Sequence, residues 1–233
     1  MSLLIIILAL LPGFTWLFFY TREDPHPEPK GLLLHAFING AAFAFVALAA
    51  QEIFKDLGWL IDPVAPLASL ITPQKFLVAI IGMALIEEVA KFAAAYFAVH
   101  KKPEFDEPID AMIYMVVAAL GFATMENLGA LIPESKALFN VHVALQTISL
   151  RFVGATLLHA LTAGVIGYYW ALDISNFGNK KLLLWGIILA TVLHAVFNYF
   201  IIAFGDITYS MVFLVVVGLF VLNDFEKLRQ RAV

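Results

Sequence analysis

The sequence contains no cysteine and few charged residues. Of its 233 residues, 14% are charged and 62% are hydrophobic. The absence of cysteine excludes a disulfide framework and any thiolate metal site. The shortage of charge is atypical of soluble proteins, in which about 25% of residues are charged and about 45–50% are apolar. The low charge and the high hydrophobic content together indicate a protein that is surrounded by lipid rather than by water.

The hydrophobic residues are gathered in long runs. A transmembrane helix needs about 20 predominantly apolar residues. The first run lacks a basic leader and a small-residue cleavage motif, so we interpret it as a retained span. We therefore predict an all-α, polytopic transmembrane helix bundle in the cell membrane, with one membrane domain over residues 1–233. The seven predicted spans are about 2–20, 32–54, 76–100, 109–131, 144–173, 182–203 and 207–223.

The basic residues of the connectors indicate an orientation. Cytoplasmic connectors are enriched in Lys and Arg. The connectors after the second, fourth and sixth spans carry only Lys55, Lys75 and Lys136. The connectors after the first, third and fifth spans, with the C-terminal tail, carry Arg22, Lys30, Lys101, Lys102, Lys180, Lys181, Lys227, Arg229 and Arg231. We therefore expect the N-terminus outside the cell and the C-terminus in the cytoplasm.

A small set of polar residues lies within the predicted spans. Ionisable residues are costly in hydrocarbon and usually face the bundle interior or a water-filled cavity. Helix rise places those of the third, fourth and sixth spans in the outer half of the bilayer, as a cavity that opens outward requires. The set consists of Glu87, Glu88 and Lys91 in the third span, Glu126 in the fourth, Arg151 and His159 in the fifth, and His194 and Asn198 in the sixth.

Lys91 lies three residues after Glu88 and four after Glu87, so it can form an ion pair with either. One lysine cannot neutralise both glutamates, because adjacent residues point about 100° apart around a helix. We expect Lys91 to hold one glutamate ionised and oriented, which leaves the other free to act as a base. The sequence leaves the role of Arg151 open between pairing with Glu126 and snorkelling at the interface.

Two or three carboxylates with two histidines suit two kinds of amide hydrolysis. In one, His159, His194 and Glu126 bind zinc or another divalent metal, and another glutamate activates the bound water. In the other, no metal is required. A glutamate takes a proton from water, and His194 with Asn198 donates hydrogen bonds to the oxyanion. The same residues also suit the relay of a proton- or cation-coupled transporter.

Four motifs resemble those of the PrsW-type intramembrane proteases, which are related to the CAAX prenyl proteases. They are EEVAK at 87–91, FATMEN at 122–127, LHALTAG at 158–164 and HAVFN at 194–198, and the similarity extends over about 76–204. The resemblance implies an endopeptidase that cuts a single-pass membrane protein, such as an anti-sigma factor, near its extracytoplasmic face. A CAAX-type prenyl protease is the alternative, but its site would open to the cytoplasm.

The resemblance also implies roles for individual residues. Glu87 and Glu88 match the paired glutamates, with Glu87 as the water activator. Glu126 matches the acidic residue of the second motif. His194 and Asn198 match the last motif, which suggests oxyanion stabilisation.

The third motif, around His159, is less strict. The family is classed as metallopeptidase, while its relation to the CAAX enzymes supports a metal-free glutamate mechanism. The sequence does not decide between them. We expect a single-pass membrane protein and the lipid bilayer as partners, and no nucleic acid.

Overall fold

The computed structural model of the protein describes residues 3–59, 72–132, 140–175, 181–205 and 207–232. Regular structure in these ranges is helical, without a strand. Lys136 and Lys180, which contribute to the count of basic residues, lie outside them. The helices are α1 (Leu3–Tyr20), α2 (Lys30–Asp56), α3 (Pro73–Val99), α4 (Pro108–Leu131), α5 (Val141–Val153), α6 (Ala155–Ser175), α7 (Lys181–Phe204) and α8 (Ile207–Ala232).

The helices confirm the prediction of an all-α, polytopic membrane protein. Six segments of the described chain are long and apolar enough to cross a membrane, when α5 and α6 are counted as one. The remaining helix, α3, is 27 residues long. Every 18-residue stretch of α3 contains at least three charged residues, so it does not reach the same apolar character. The orientation of the bundle across the membrane stays a prediction.

The predicted span 144–173 is not one helix. It is divided at Gly154, where the backbone (φ −101°, ψ −98°) leaves the helical range. Beside the break, the backbone carbonyl of Phe152 accepts a hydrogen bond from the indole N–H of Trp16 at 3.0 Å. The last two predicted spans are separate helices, as expected, because Gly205 ends α7 with a positive φ of 61°.

Helix α4 is at the centre of the bundle. Its neighbours are α1, α2, α3, α5, α6 and α8, and 89% of its most apolar stretch is buried. Two glycines allow α2 and α4 to approach closely. A Cβ atom at Gly40 would lie 1.8 Å from the carbonyl oxygen of Ala118, and one at Gly121 would lie 2.0 Å from the carbonyl oxygen of Phe37. Small residues at such contacts are typical of packed membrane helices.

Replacement of Gly40 by leucine should separate α2 from α4. The side chain would overlap the α4 backbone, which cannot move aside as a flexible side chain does, so we expect the free energy of unfolding to fall by about 3 kcal/mol or more. Thermal unfolding in detergent measures the loss. Gly31→Ala is the control, since no atom lies within 4 Å of its Cβ position. Equal stability of both variants would contradict this packing.

Candidate active site

The predicted ion pair of α3 forms between Lys91 and Glu88. The Nζ atom of Lys91 lies 2.7 Å from Oε1 of Glu88, and both side chains are fully buried. The same Nζ atom donates to Oγ1 of Thr162 and approaches Nδ1 of His159, each at 3.1 Å. These contacts occupy the three N–H donors of the ammonium group. Lys91 therefore connects α3 to α6.

The two histidines are held in defined orientations by these neighbours. Because Lys91 donates to Nδ1 of His159, the Nε2–H of this ring is directed at Oε2 of Glu126, 2.8 Å away. Nδ1 of His194 lies 2.7 Å from Oε1 of Glu88, a carboxylate acceptor, so Nδ1 carries the proton there. Nε2 of His194 then faces Oε2 of Glu87 at 3.6 Å.

Glu87 is the α3 glutamate that reaches open space. Its side chain is 16% exposed, whereas that of Glu88 is fully buried. The Oε1 atom of Glu87 accepts a hydrogen bond from the amide of Gln51 at 2.9 Å. Glu87 and Gln51 both line a cavity of about 870 Å³, whose other polar wall residues are Arg151 and Asn198. Glu87 and Gln51 also line a smaller cavity of about 260 Å³ beside Glu126.

Arg151 forms an ion pair with Glu126, one of the two roles that the sequence left open. Its Nη2 atom lies 3.1 Å from Oε2 of Glu126, and its Nε donates to Oδ1 of Asn127 at 2.6 Å. The amide of Asn127 in turn donates to Oγ1 of Thr156 at 3.1 Å. Glu126 is thus fixed between Arg151 and His159, and its side chain is 29% exposed.

Asn198 lies one helical turn after His194 on α7 and lines the larger cavity together with Glu87. The structure therefore brings the α3, α4, α6 and α7 residues that the sequence analysis selected into one region. Sequence reasoning missed Gln51, Thr162 and Asn127. Gln51 had a usable signal, since it is an amide within an apolar helix and such residues usually face a polar interior.

One group of side chains in the described chain can bind a metal ion at this site. Single ligand atoms of Glu87, His159 and His194 all lie within 4.8 Å of one another. Two histidines with one glutamate are a common ligand set of catalytic zinc. The hydrogen bond from Nδ1 of His194 to Glu88 is the carboxylate support that metal-binding histidines usually have, and it leaves Nε2 for a metal. For His159 to bind a metal through Nε2, this atom would have to give up its hydrogen bond with Glu126.

These residues thus fit a zinc-type ion. The carboxylate next to the two histidines is that of Glu87, whereas the sequence-based candidate ligand was Glu126. The Oε2 atom of Glu126 is instead held by His159 and Arg151.

A constellation of acids and bases enclosed by membrane-crossing helices is what an enzyme needs to carry out hydrolysis within a bilayer. Comparison with known families identifies the enzyme class. A sequence model described as "PrsW family intramembrane metalloprotease" matches residues 28–222. Since this match covers most of the chain, the protein belongs to the PrsW family and is a peptidase. This membership confirms the resemblance to the PrsW-type intramembrane proteases.

Individual relatives agree with the family match. Three proteins named Protease PrsW are similar over most of their lengths. That of Clostridioides difficile is 29% identical over 207 residues, which are 85% of this chain and 79% of the relative. That of Geobacillus kaustophilus is 27% identical, covering 82% and 77%. That of Bacillus subtilis is 25% identical, covering 97% and 95%. No solved structure matches this chain.

Lys91→Met should destabilise the protein, because it leaves Glu88 as an uncompensated buried charge. Breaking a buried ion pair by removing one partner costs about 3–5 kcal/mol. Unfolding in detergent measures this loss. Lys75→Met is the matched control, since Lys75 is an exposed lysine on the same helix. If Lys91→Met kept its stability but lost all proteolytic activity, Lys91 would have a catalytic role instead.

Proposed function

We propose that this peptidase cuts a single-pass membrane protein of the anti-sigma-factor kind, near its extracytoplasmic face. The observation that carries the proposal is the position of Glu87. This carboxylate is partly exposed to the larger cavity, lies 3.6 Å from a histidine nitrogen and is held by a neutral amide. A peptide bond in the cavity and a water molecule beside Glu87 would therefore meet next to His194.

In this proposal the side chains have separate roles. Glu87 takes the proton from water, which makes the oxygen a nucleophile toward the peptide carbonyl, and later returns a proton to the leaving amine. Asn198 donates from its amide to the oxyanion. Glu88 and Lys91 keep His194 and His159 oriented. Arg151 and Asn127 hold Glu126 against His159.

Two hydrolytic routes place opposite demands on Nε2 of His194. Without a metal, Nε2 must carry a proton in order to donate to the oxyanion. With a zinc-type ion held by Glu87, His159 and His194, Nε2 must present a lone pair. The ion would polarise the carbonyl and supply hydroxide near neutral pH. A glutamate other than a metal ligand would then accept the proton from water, and Glu126 is the partly exposed one nearby.

The side of the cut depends on the orientation of the bundle. On the orientation predicted from the basic residues, Glu87, Glu126 and His194 lie in the outer half of the bilayer. This favours a substrate segment that leaves the membrane on the extracytoplasmic side. The lining of the larger cavity supports a membrane-embedded polypeptide as its occupant, since apolar side chains of α3, α5, α7 and α8 form much of its wall.

Glu87→Gln should abolish cleavage and leave the protein folded, because the amide cannot accept a proton. Loss of a general base lowers the rate by about 100- to 10,000-fold. The measurement compares the N-termini of membrane proteins in cells that carry wild type, Glu87→Gln or the control Glu52→Gln, at matched expression. Glu52 is an exposed glutamate on α2.

New N-termini that depend on Glu87 and map just outside single-pass helices would identify the substrate. Unchanged N-termini in the folded Glu87→Gln variant would refute the role of this residue. Glu87-dependent cleavage at cytoplasmic C-terminal tails would instead favour a CAAX-like substrate and the reverse orientation.

The metal route predicts about one equivalent of zinc or a similar transition metal in the purified protein. We expect His194→Ala to lose both this metal and the activity, and a chelator to inactivate the wild type reversibly. Elemental analysis and cleavage of the identified substrate provide the two readouts. His35→Ala is the control, because His35 is an exposed histidine on α2. Full activity of metal-free wild type would establish the glutamate route.

A further inference from the structure

A second cluster of carboxylates lies at the other end of α4. It consists of Asp24 and Glu28, in the connector between α1 and α2, and Asp110, in the first turn of α4; we call it the acidic cluster. Asp110 precedes Glu126 by 16 residues, which corresponds to about 24 Å along the helix. The acidic cluster is therefore separate from the candidate active site.

The three carboxylates are close together; Asp24 and Asp110 are buried and Glu28 is half-buried. One oxygen atom of each lies within 4.8 Å of the others. Asp24 is 6% exposed and Asp110 is 1% exposed. Mg²⁺ and Ca²⁺ bind oxygen ligands at about 2.0–2.6 Å, so two ligands on opposite sides of one ion are about 4–5 Å apart. The observed spacing matches the distances around a single ion.

Some acceptor atoms of the acidic cluster receive no hydrogen bond from a donor group. Oδ1 of Asp24 accepts from the backbone N–H of His26. Oδ2 of Asp110 accepts from the backbone N–H groups of Asp106 and Glu107. The other oxygens, Oδ2 of Asp24 and Oδ1 of Asp110, are buried and receive no N–H or O–H donor from the described residues. The carboxyl group of Asp110 does contact that of Glu28, but two carboxylates bring only acceptors together. A buried polar atom without a partner is costly and calls for an explanation, such as an ion.

The surrounding groups do not supply the missing positive charge. The hydroxyl of Tyr114 donates to Glu28, but it is neutral. The ring of His26 is paired with Glu107, whose Oε2 atom is also buried and unpartnered. No lysine or arginine in the described ranges forms an ion pair with the acidic cluster.

We propose that the acidic cluster binds one divalent cation of the hard type, Mg²⁺ or Ca²⁺. Its ligands are carboxylate oxygens of Asp24, Glu28 and Asp110. Such ions prefer oxygen ligands, and this cluster offers no nitrogen or sulfur. The ion offsets the excess of negative charge and fixes the α1–α2 connector to the start of α4. On the predicted orientation this end faces the cytoplasm, which makes Mg²⁺ the first ion to test.

The test uses the purified full-length protein in detergent, freed of metals by a chelator. MgCl₂ or CaCl₂ is then added while thermal unfolding is recorded, and calorimetry gives the stoichiometry. We expect a saturable rise of about 5 °C or more in Tm and one bound ion, because a ligand that binds only the folded state stabilises it. Asp24→Asn should abolish the rise. Without added cation this variant should be at least as stable as wild type, since it carries less buried charge.

Two control variants separate this site from the others. Asp224→Asn removes a partly exposed carboxylate that pairs with Lys227, and it should keep the full response. Glu87→Gln should keep it as well, because Glu87 belongs to the candidate active site. If Asp24→Asn does not fold, Glu28→Gln replaces it.

Absence of any Mg²⁺ or Ca²⁺ response in wild type would overturn the proposal and indicate carboxyls that share protons. A response that persists in Asp24→Asn and Glu28→Gln, or one that Glu87→Gln abolishes, would also overturn it. Either result would locate the ion elsewhere. None of these outcomes depends on proteolytic activity, so they do not test the proposed substrate or mechanism of the peptidase.

Discussion

The fully buried ion pair between Glu88 and Lys91 is the interaction on which the candidate site depends. A charge deep in a membrane protein is tolerated only if it is paired and hydrogen-bonded. Lys91 meets this requirement by donating to Glu88, Thr162 and His159, and Glu88 by also binding His194. The need to satisfy two charges thus fixes three helices, α3, α6 and α7, and sets the direction of both imidazole rings.

The two adjacent glutamates differ because their surroundings differ. Glu88 is fully buried, and its carboxylate is paired with Lys91 and His194 inside the protein. Glu87 borders a cavity, and its hydrogen bond comes from the uncharged Gln51. Paired carboxylates of hydrolases often divide their roles in this way, with environment rather than chemistry deciding which one reacts.

Much of this arrangement could be predicted from sequence, for reasons that individual residues show. Helical spacing predicted that Lys91 pairs with a glutamate, but both Glu87 and Glu88 were within reach. The choice depended on His194 and Thr162, which are distant in sequence. The pairing of Arg151 with Glu126 is also a tertiary contact, so the sequence alone could not distinguish it from snorkelling at the interface.

Other features gave weaker signals. Gly154 is one glycine within a long apolar run, and hydropathy alone does not report that it interrupts a helix. Gln51 has no partner close in sequence, and its hydrogen bond to Glu87 depends on the contact between α2 and α3. The acidic cluster combines a connector with the first turn of α4, so periodicity within a single helix could not reveal it.

The two cavities that share Glu87 and Gln51 bear on a difficulty that hydrolysis inside a membrane presents. The reaction consumes one water molecule and one peptide bond, yet a polypeptide that fills the approach to a buried carboxylate would also block the entry of water. Here the carboxylate forms part of two walls. If the larger space holds the peptide, as we propose, the smaller one would stay free, so water and substrate would reach Glu87 from different cavities.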